Sequence, residues 1–94
     1  MLARVVVRFF AWLREEIGVS EIVLDGLGSL ADLLSDIRKS LGSRSGAIFE
    51  DDGSLRNNVV IAINNRIVSS ERSFERISLR DGDIIDIMPL GSGG

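Results

Sequence analysis

The C-terminal stretch, residues 80–94, reads RDGDIIDIMPLGSGG. A turn over residues 80–83 leads into an apolar run over residues 84–88, whose composition is typical of a β-strand. The run meets Pro89, the only proline, and the sequence then ends on Gly93 and Gly94. Because glycine makes up about 7% of an average protein, two terminal glycines arise by chance in about 0.5% of chains. This closing strand with its bare end is where the fold prediction starts.

Two interpretations of the glycine end are open. Composition alone allows a plain glycine- and serine-rich terminus without a role. The functional interpretation starts from the missing side chains, because a segment without Cβ atoms is thin and can thread a narrow channel. Five extended residues from Leu90 would reach about 17 Å. A carboxylate on such a tether can be delivered to a reacting centre in another protein.

The length and composition predict one globular domain. A chain of 94 residues buries enough surface to form one core, and its 45% hydrophobic and 27% charged residues are ordinary for a soluble protein. No apolar run approaches the roughly 20 residues that a membrane span requires. The N-terminus reads as a first strand rather than an export signal, so we expect a cytoplasmic protein that does not bind membranes.

The residues that are missing restrict the chemistry. The chain has no cysteine and no histidine, which excludes disulfides, thiolate nucleophiles, Ser-His triads and the usual zinc sites. The three adjacent acids over residues 50–52 lack the alternate spacing of a calcium loop and predict a solvated turn, so we expect no metal site. The net charge of −3 and the scattered basic residues argue against nucleic acid as a partner.

The N-terminal half predicts two strands and two helices. Residues 4–10 form the first strand, with Val5, Val7 and Phe9 on one face and Phe10 on the other. Residues 11–17 allow a short helix that Gly18 ends, and residues 20–25 form the second strand. A longer helix starts at an N-cap serine, Ser29, and carries leucines and isoleucines at helical spacing as far as Gly42.

The C-terminal half predicts three strands after a loop. Residues 42–58 read as a loop with one apolar anchor at residues 47–49. A buried strand, VVIAI, then meets Asn64 and Asn65, which tolerate the positive φ of a tight hairpin turn. A short strand returns at residues 66–69, and the closing strand follows the turn over residues 80–83. The predicted order is β-β-α, loop, β-β-β, with one main helix against a mixed sheet.

Three segments resemble the ubiquitin-like β-grasp sulfur carriers, most closely the small subunit of molybdopterin synthase. VRFFAWLREEIG is similar to that family's first strand and FFA-x-LRE helix start, and VIAINNRIV is similar to its asparagine-turn hairpin. LRDGDIIDIMPLGSGG is similar to its ending, L-x-DGDE-V-x-x-x-PP-x-x-GG, which is the most specific of the three. The sequence departs from the family at Leu90, where a second proline is common, and in a longer segment over residues 44–58.

The resemblance implies an α+β, ubiquitin-like β-grasp fold. Such a fold has a mixed sheet of about five strands packed on one main helix, with a short helix after the first strand. Residues 1–89 would form the β-grasp domain, and residues 90–94 a flexible Gly-Gly tail.

The resemblance further implies a carrier that is not an enzyme on its own. An E1-like adenylyltransferase and sulfurylase would use ATP to adenylate Gly94, and a sulfur donor would convert the adenylate to a thiocarboxylate, with Gly93 beside it. The tail would then enter the large catalytic subunit of molybdopterin synthase, which transfers the sulfur to a pterin precursor of the molybdenum or tungsten cofactor. The carrier itself would bind no cofactor.

Two alternatives share the same tail. Archaeal ubiquitin-like modifiers resemble the molybdopterin subunit and form isopeptide bonds with target lysines, here through Gly94. Other carriers deliver sulfur to pathways such as thiamine synthesis. The sequence does not separate these alternatives.

The partner-binding residues are predicted to surround the root of the tail. Strand parity places Phe10 and Met88 on the sheet face opposite the predicted core. At the positions that match Phe10, Ile67 and Met88, the family presents an exposed apolar patch. The segment from Pro89 through Leu90 and Gly91 to Ser92 would line the partner's channel. The opposing interpretation is that these three side chains are covered by the short helix or the long loop.

Overall fold

The computed structural model describes residues 3–68 and 74–90, apart from the side chains of residues 26 and 27. The elements follow the chain in this order: β1 (Ala3–Phe9), α1 (Ala11–Ile17), β2 (Glu21–Leu27), α2 (Leu30–Leu41), a 3-10 helix (Gly42–Ala47), β3 (Val59–Ile63), β4 (Arg66–Ile67), a second 3-10 helix (Phe74–Arg76) and β5 (Ile84–Pro89). The predicted last residue of the short return strand, Ser69, lies outside the described residues.

The five strands form one mixed sheet in the order β2-β1-β5-β3-β4. The first and last strands, β1 and β5, are parallel neighbours at its centre, and the other described pairs are antiparallel. The predicted α+β arrangement of about five strands, one main helix and a short helix is confirmed.

Helix α2 starts and ends where the sequence predicts. The hydroxyl of Ser29 accepts a hydrogen bond from the Asp32 amide at 3.2 Å, and the Asp32 carboxylate accepts one from the Ser29 amide at 3.2 Å. This reciprocal capping box satisfies two amides that a helix N-terminus leaves free. At the other end Gly42 has φ of +56°, a conformation that favours glycine.

The core lies between α2 and one face of the sheet. The alternation predicted for β1 is confirmed, because Val5, Val7 and Phe9 are at most 2% exposed. From the helices and β5, the fully buried side chains are Leu13, Ile17, Leu30, Leu33, Ile37, Ile85 and Ile87. The opposite face of the sheet is not covered by α2, and we call it the open face.

The long segment over residues 42–58 is a loop with an apolar anchor, as predicted. Ile48 and Phe49 are buried, and Phe49 forms a β-bridge with Leu55. The first six residues of the segment, Gly42–Ala47, form the 3-10 helix, which the sequence did not indicate. Arg44 from this helix donates a hydrogen bond to the Ile17 carbonyl at 2.7 Å, so the segment is fastened to the end of α1.

Several strand boundaries differ from the prediction by one or two residues, and β4 ends at Ile67, so Val68 is not part of the return strand. Strand β2 continues to Leu27 rather than ending at Asp25, because Ala3 of β1 offers a pairing partner beyond the bulge between Ala3 and Arg4. Phe10 lies just past the end of β1 and is the N-cap residue of α1, although its backbone remains extended. The Asn64–Asn65 turn is confirmed by φ values of +50° and +71°. In the described part of the chain, no helix is long and apolar enough to cross a membrane.

Candidate functional site

The root of the C-terminal tail is held in the middle of the sheet. Pro89 pairs with Val59 of β3 and is buried, and the Leu90 amide donates to the Asn58 carbonyl at 2.7 Å. The side chain of Leu90 is 62% exposed. Residues 91–94, which include the predicted Gly91, Ser92, Gly93 and Gly94, lie outside the described residues. Four extended residues beyond Leu90 span at most about 14 Å, less than the five-residue estimate of about 17 Å.

Phe10, Ile67 and Met88 all lie on the open face, and we call them the docking patch. Ile67 is on the edge strand β4, which β3 separates from β5. Phe10 adjoins Met88, since the preceding residues Phe9 and Ile87 are Cα partners in the β1–β5 pair. Ile67 is 63% exposed, whereas Phe10 and Met88 are half-buried. None of the three is fully buried, so side chains remain available at the base of the tail. Their role in partner binding stays a prediction.

An ion pair between Arg8 and Asp86 adjoins the docking patch. Arg8 donates from Nε to Asp86 Oδ1 at 2.7 Å and from Nη2 to Oδ2 at 2.9 Å. The Asp86 side chain is only 8% exposed and that of Arg8 is 40% exposed. The hydrogen bonds that Arg8 donates to Asp86 raise the pKa of the Arg8 guanidinium above its ordinary value. The guanidinium also lies 5.4 Å from the centre of the Phe10 ring, within the range of a cation–π contact.

The sequence did not predict the ion pair between Arg8 and Asp86. Both residues are at outward positions of strands, which the parity of β1 and β5 indicates. Pairing them requires the register of two strands that are 78 residues apart in sequence. A charged residue inside the otherwise apolar run IIDIM was the only local indication.

A second ion pair lies farther from the tail on the open face. Arg4 Nε donates to Asp25 Oδ1 at 2.8 Å, and both side chains are mainly exposed. Hydrogen bonding to Arg4 holds the pKa of the Asp25 carboxyl below its ordinary value. Exposed apolar side chains at this end are Val23 and Ile84. The open face therefore has two ion pairs with different degrees of burial.

The other candidate motifs are part of the surface. Residues 50–52 are exposed as predicted, and the Ser54 hydroxyl and amide donate to Asp52, which lowers the pKa of its carboxyl. Trp12 is 38% exposed. Within residues 3–68 and 74–90, no group of three or more acidic residues is placed to hold a metal ion.

A family model that matches most of the chain identifies the family to which the protein belongs. The model of the ThiS family matches residues 7–94, which includes the end of β1, the docking patch and the glycine end. The chain belongs to the ThiS family. Its members are ubiquitin-like β-grasp proteins that act as sulfur carriers or modifiers, and small carriers of this kind are generally non-catalytic. No curated protein sequence matches the chain.

Solved structures of related proteins agree with the assignment of this chain to the ThiS family. The chain is similar to small archaeal modifier protein 1 from Methanosarcina acetivorans, with 33% identity, a TM-score of 0.78, and coverage of 100% of this chain and 99% of that one. It is also similar to a Pyrococcus furiosus protein assigned as molybdopterin converting factor, subunit 1, with 28% identity, a TM-score of 0.71, and coverage of 94% and 98%. Small archaeal modifier protein 1 from Haloferax volcanii shares the fold, with a TM-score of 0.81, 22% identity, and coverage of 98% and 100%.

Proposed function

We propose that this protein is a sulfur carrier whose terminal glycine, Gly94, is converted to a thiocarboxylate that donates sulfur to a pterin precursor in molybdopterin synthesis. The observation that supports it most is the position of the tail root. The central strand β5 ends in a hydrogen bond from Leu90 to Asn58, directly beside the docking patch. The reacting centre of a partner that binds this patch would therefore lie at most about 14 Å from Leu90.

The chemistry requires an activating partner. A carboxylate is a poor electrophile, so its oxygen first attacks the α-phosphorus of ATP, pyrophosphate leaves, and an acyl adenylate forms. A sulfide-level nucleophile then attacks the acyl carbon and AMP leaves, which gives the thiocarboxylate. Sulfur-carrier family proteins work with E1-like activating enzymes and partner subunits. The partner for the final transfer would be the large catalytic subunit of molybdopterin synthase.

The similarity to the Pyrococcus furiosus protein assigned as a molybdopterin converting factor subunit supports the pterin pathway. A second function is favoured by the similarity to small archaeal modifier protein 1 at 33% identity. In that case the activated Gly94 would be attacked by a lysine amine of a target protein, forming an isopeptide bond. Both functions require the same adenylation.

The test of the carrier function is a charging reaction. We expect the chain, incubated with the E1-like enzyme of the same genome, ATP and a sulfur donor, to exchange one oxygen for sulfur in the peptide that ends at Gly94. Intact-mass spectrometry measures this exchange. A variant that lacks Gly94 is the control, and it should stay uncharged while keeping the melting temperature of the full chain. An unchanged mass for the full chain, with a known carrier charged in parallel, would refute the proposal.

A second experiment separates carrier from modifier. Adding the large subunit and the pterin precursor to the charged protein should give stoichiometric sulfur transfer to the pterin. The modifier function instead gives covalent adducts that survive boiling and reduction, with a Gly-Gly remnant on a target lysine. Adducts without any pterin sulfuration would reverse the order of the two functions.

A further inference from the structure

Hydrogen bonds within the described residues use only some of the N–H donors of the Arg8 guanidinium. Asp86 accepts from Nε and from one hydrogen of Nη2. A guanidinium has five N–H donors in a planar fork, so both hydrogens of Nη1 and one of Nη2 remain. In the described residues, no hydrogen-bond acceptor contacts Nη1. The Nη1–Nη2 edge is therefore a free second fork of the shape that binds one carboxylate in a bidentate manner.

This free edge lies within an apolar surface. Arg8 and Asp86 are each two residues before a member of the docking patch, Phe10 and Met88 respectively, and therefore lie on the same face. Across the sheet, Asp86 pairs with Ala62, and Ala62 pairs with Ile67. A partner that covers the docking patch must also cover the exposed part of Arg8. Since burying a charged donor without an acceptor is costly, an apolar partner surface alone would bind poorly here.

We infer that Arg8 is a specificity-determining residue of the docking surface, and that the E1-like activating enzyme presents to it an apolar surface with one carboxylate placed on the free guanidinium edge. This inference rests on the proposed function. Charge complementarity selects the partner, because the guanidinium is positive and its own counter-ion Asp86 is already buried behind it. Glu21, the cross-strand neighbour of Arg8 on β2, is the other acidic residue facing it and would compete weakly with the partner's carboxylate.

The main variant removes the pair without leaving a buried charge. Replacing Arg8 alone would leave Asp86 buried and unpaired, so we combine Arg8→Met with Asp86→Ala. Apolar replacement of a buried ion pair is often neutral for stability. Because a hydrogen bond to a charged group that is lost from an interface is typically worth tenfold or more, we expect the dissociation constant for the E1-like enzyme to rise at least about tenfold.

A second variant separates charge from geometry. Arg8→Lys keeps a positive charge beside Asp86, but a lysine lacks a second planar edge. It should fold as the wild type does and should also bind the enzyme more weakly. The matched control is Arg4→Met with Asp25→Ala, which removes the exposed ion pair on the same face. Arg4 is four residues before Arg8, about 13 Å farther along β1 from the tail, and the control should bind as the wild type does.

The measurement is the dissociation constant and the charging rate of each variant with the E1-like enzyme of the same genome, with melting temperatures recorded alongside. Weaker binding of both Arg8 variants, with the Arg4 control unchanged, supports the inference. Wild-type affinity in either folded Arg8 variant overturns it, and so does a loss confined to the large synthase subunit. Either of these two contradicting outcomes would leave the proposed carrier function unaffected. A wild-type chain that is never charged refutes the carrier function and the inference together.

Discussion

Ile67→Ala separates docking from folding at one residue of the patch. The substitution removes three carbon groups, worth about 2.4 kcal/mol if the side chain is fully buried. Ile67 is 63% exposed in the free protein. About one third of that energy, about 0.9 kcal/mol, therefore stabilises the fold, and about 1.5 kcal/mol remains for a partner that covers the side chain. The expected loss of affinity is about tenfold.

The effect on stability should be small and measurable. For 94 residues, an unfolding entropy of about 2.1 cal/mol/K per residue gives a decrease in melting temperature of about 4–5 °C. Calorimetric titration with the E1-like enzyme measures the affinity, and circular dichroism measures the melting temperature. Val23→Ala is the matched control, because Val23 is a 54% exposed aliphatic residue on the edge strand of the open face. It should lower stability similarly and leave the affinity unchanged.

Two results would contradict this reasoning. An unchanged dissociation constant for Ile67→Ala would show that the partner does not cover Ile67. An equal loss of affinity in Val23→Ala would show that docking extends over the whole face or that both losses come from the fold.

Three further predictions concern the folded domain. Ser29→Ala removes the capping box of α2 and should cost about 1 kcal/mol, measured by thermal unfolding, whereas an unchanged melting temperature would mean that the box contributes nothing. Asn64→Gly keeps the positive φ but removes the hydrogen bond that the Asn64 side chain donates to Asp83 and the one that it accepts from the Ile84 amide. Urea unfolding should therefore show that the free energy of unfolding decreases by about 1–3 kcal/mol, a loss that the control Asn65→Gly does not show. Asp25 and Asp52 have lowered pKa values in the folded state. Their contribution to stability is therefore complete above the ordinary aspartate pKa of about 3.9 and decreases as the pH falls below it. Asp52→Asn should reduce this decrease, and an identical profile of stability against pH would exclude a contribution from Asp52.

The sequence predicted the elements whose determinants are local. Alternation in β1 identifies its buried face, a serine followed by an acid three residues later identifies the start of α2, and two asparagines identify the hairpin turn. Each of these depends on residues that are neighbours in the chain, so single-sequence reasoning is sufficient.

The features that the sequence did not predict depend on pairing between distant segments. Asp86 is buried because Arg8, from the other end of the chain, supplies both of its hydrogen bonds. Strand β2 extends past Asp25 because β1 offers a partner at Ala3. The members of the patch were predicted from strand parity and a family resemblance together, and parity alone would not have included Ile67.

The parallel pairing of β1 with β5 also determines how the domain bears a mechanical load. A force that pulls on the tail acts on the C-terminal end of β5, while β1 and β3 hold that strand on both sides. Because β1 and β5 run in the same direction, opposite pulls on residues 3 and 90 load their shared hydrogen bonds in shear, all at once, and do not open them one at a time. The β3–β4 hairpin, which has two paired positions, opens from one end instead. Such a pull is therefore resisted by the strand pairing at the centre of the sheet and not by the short hairpin at its edge.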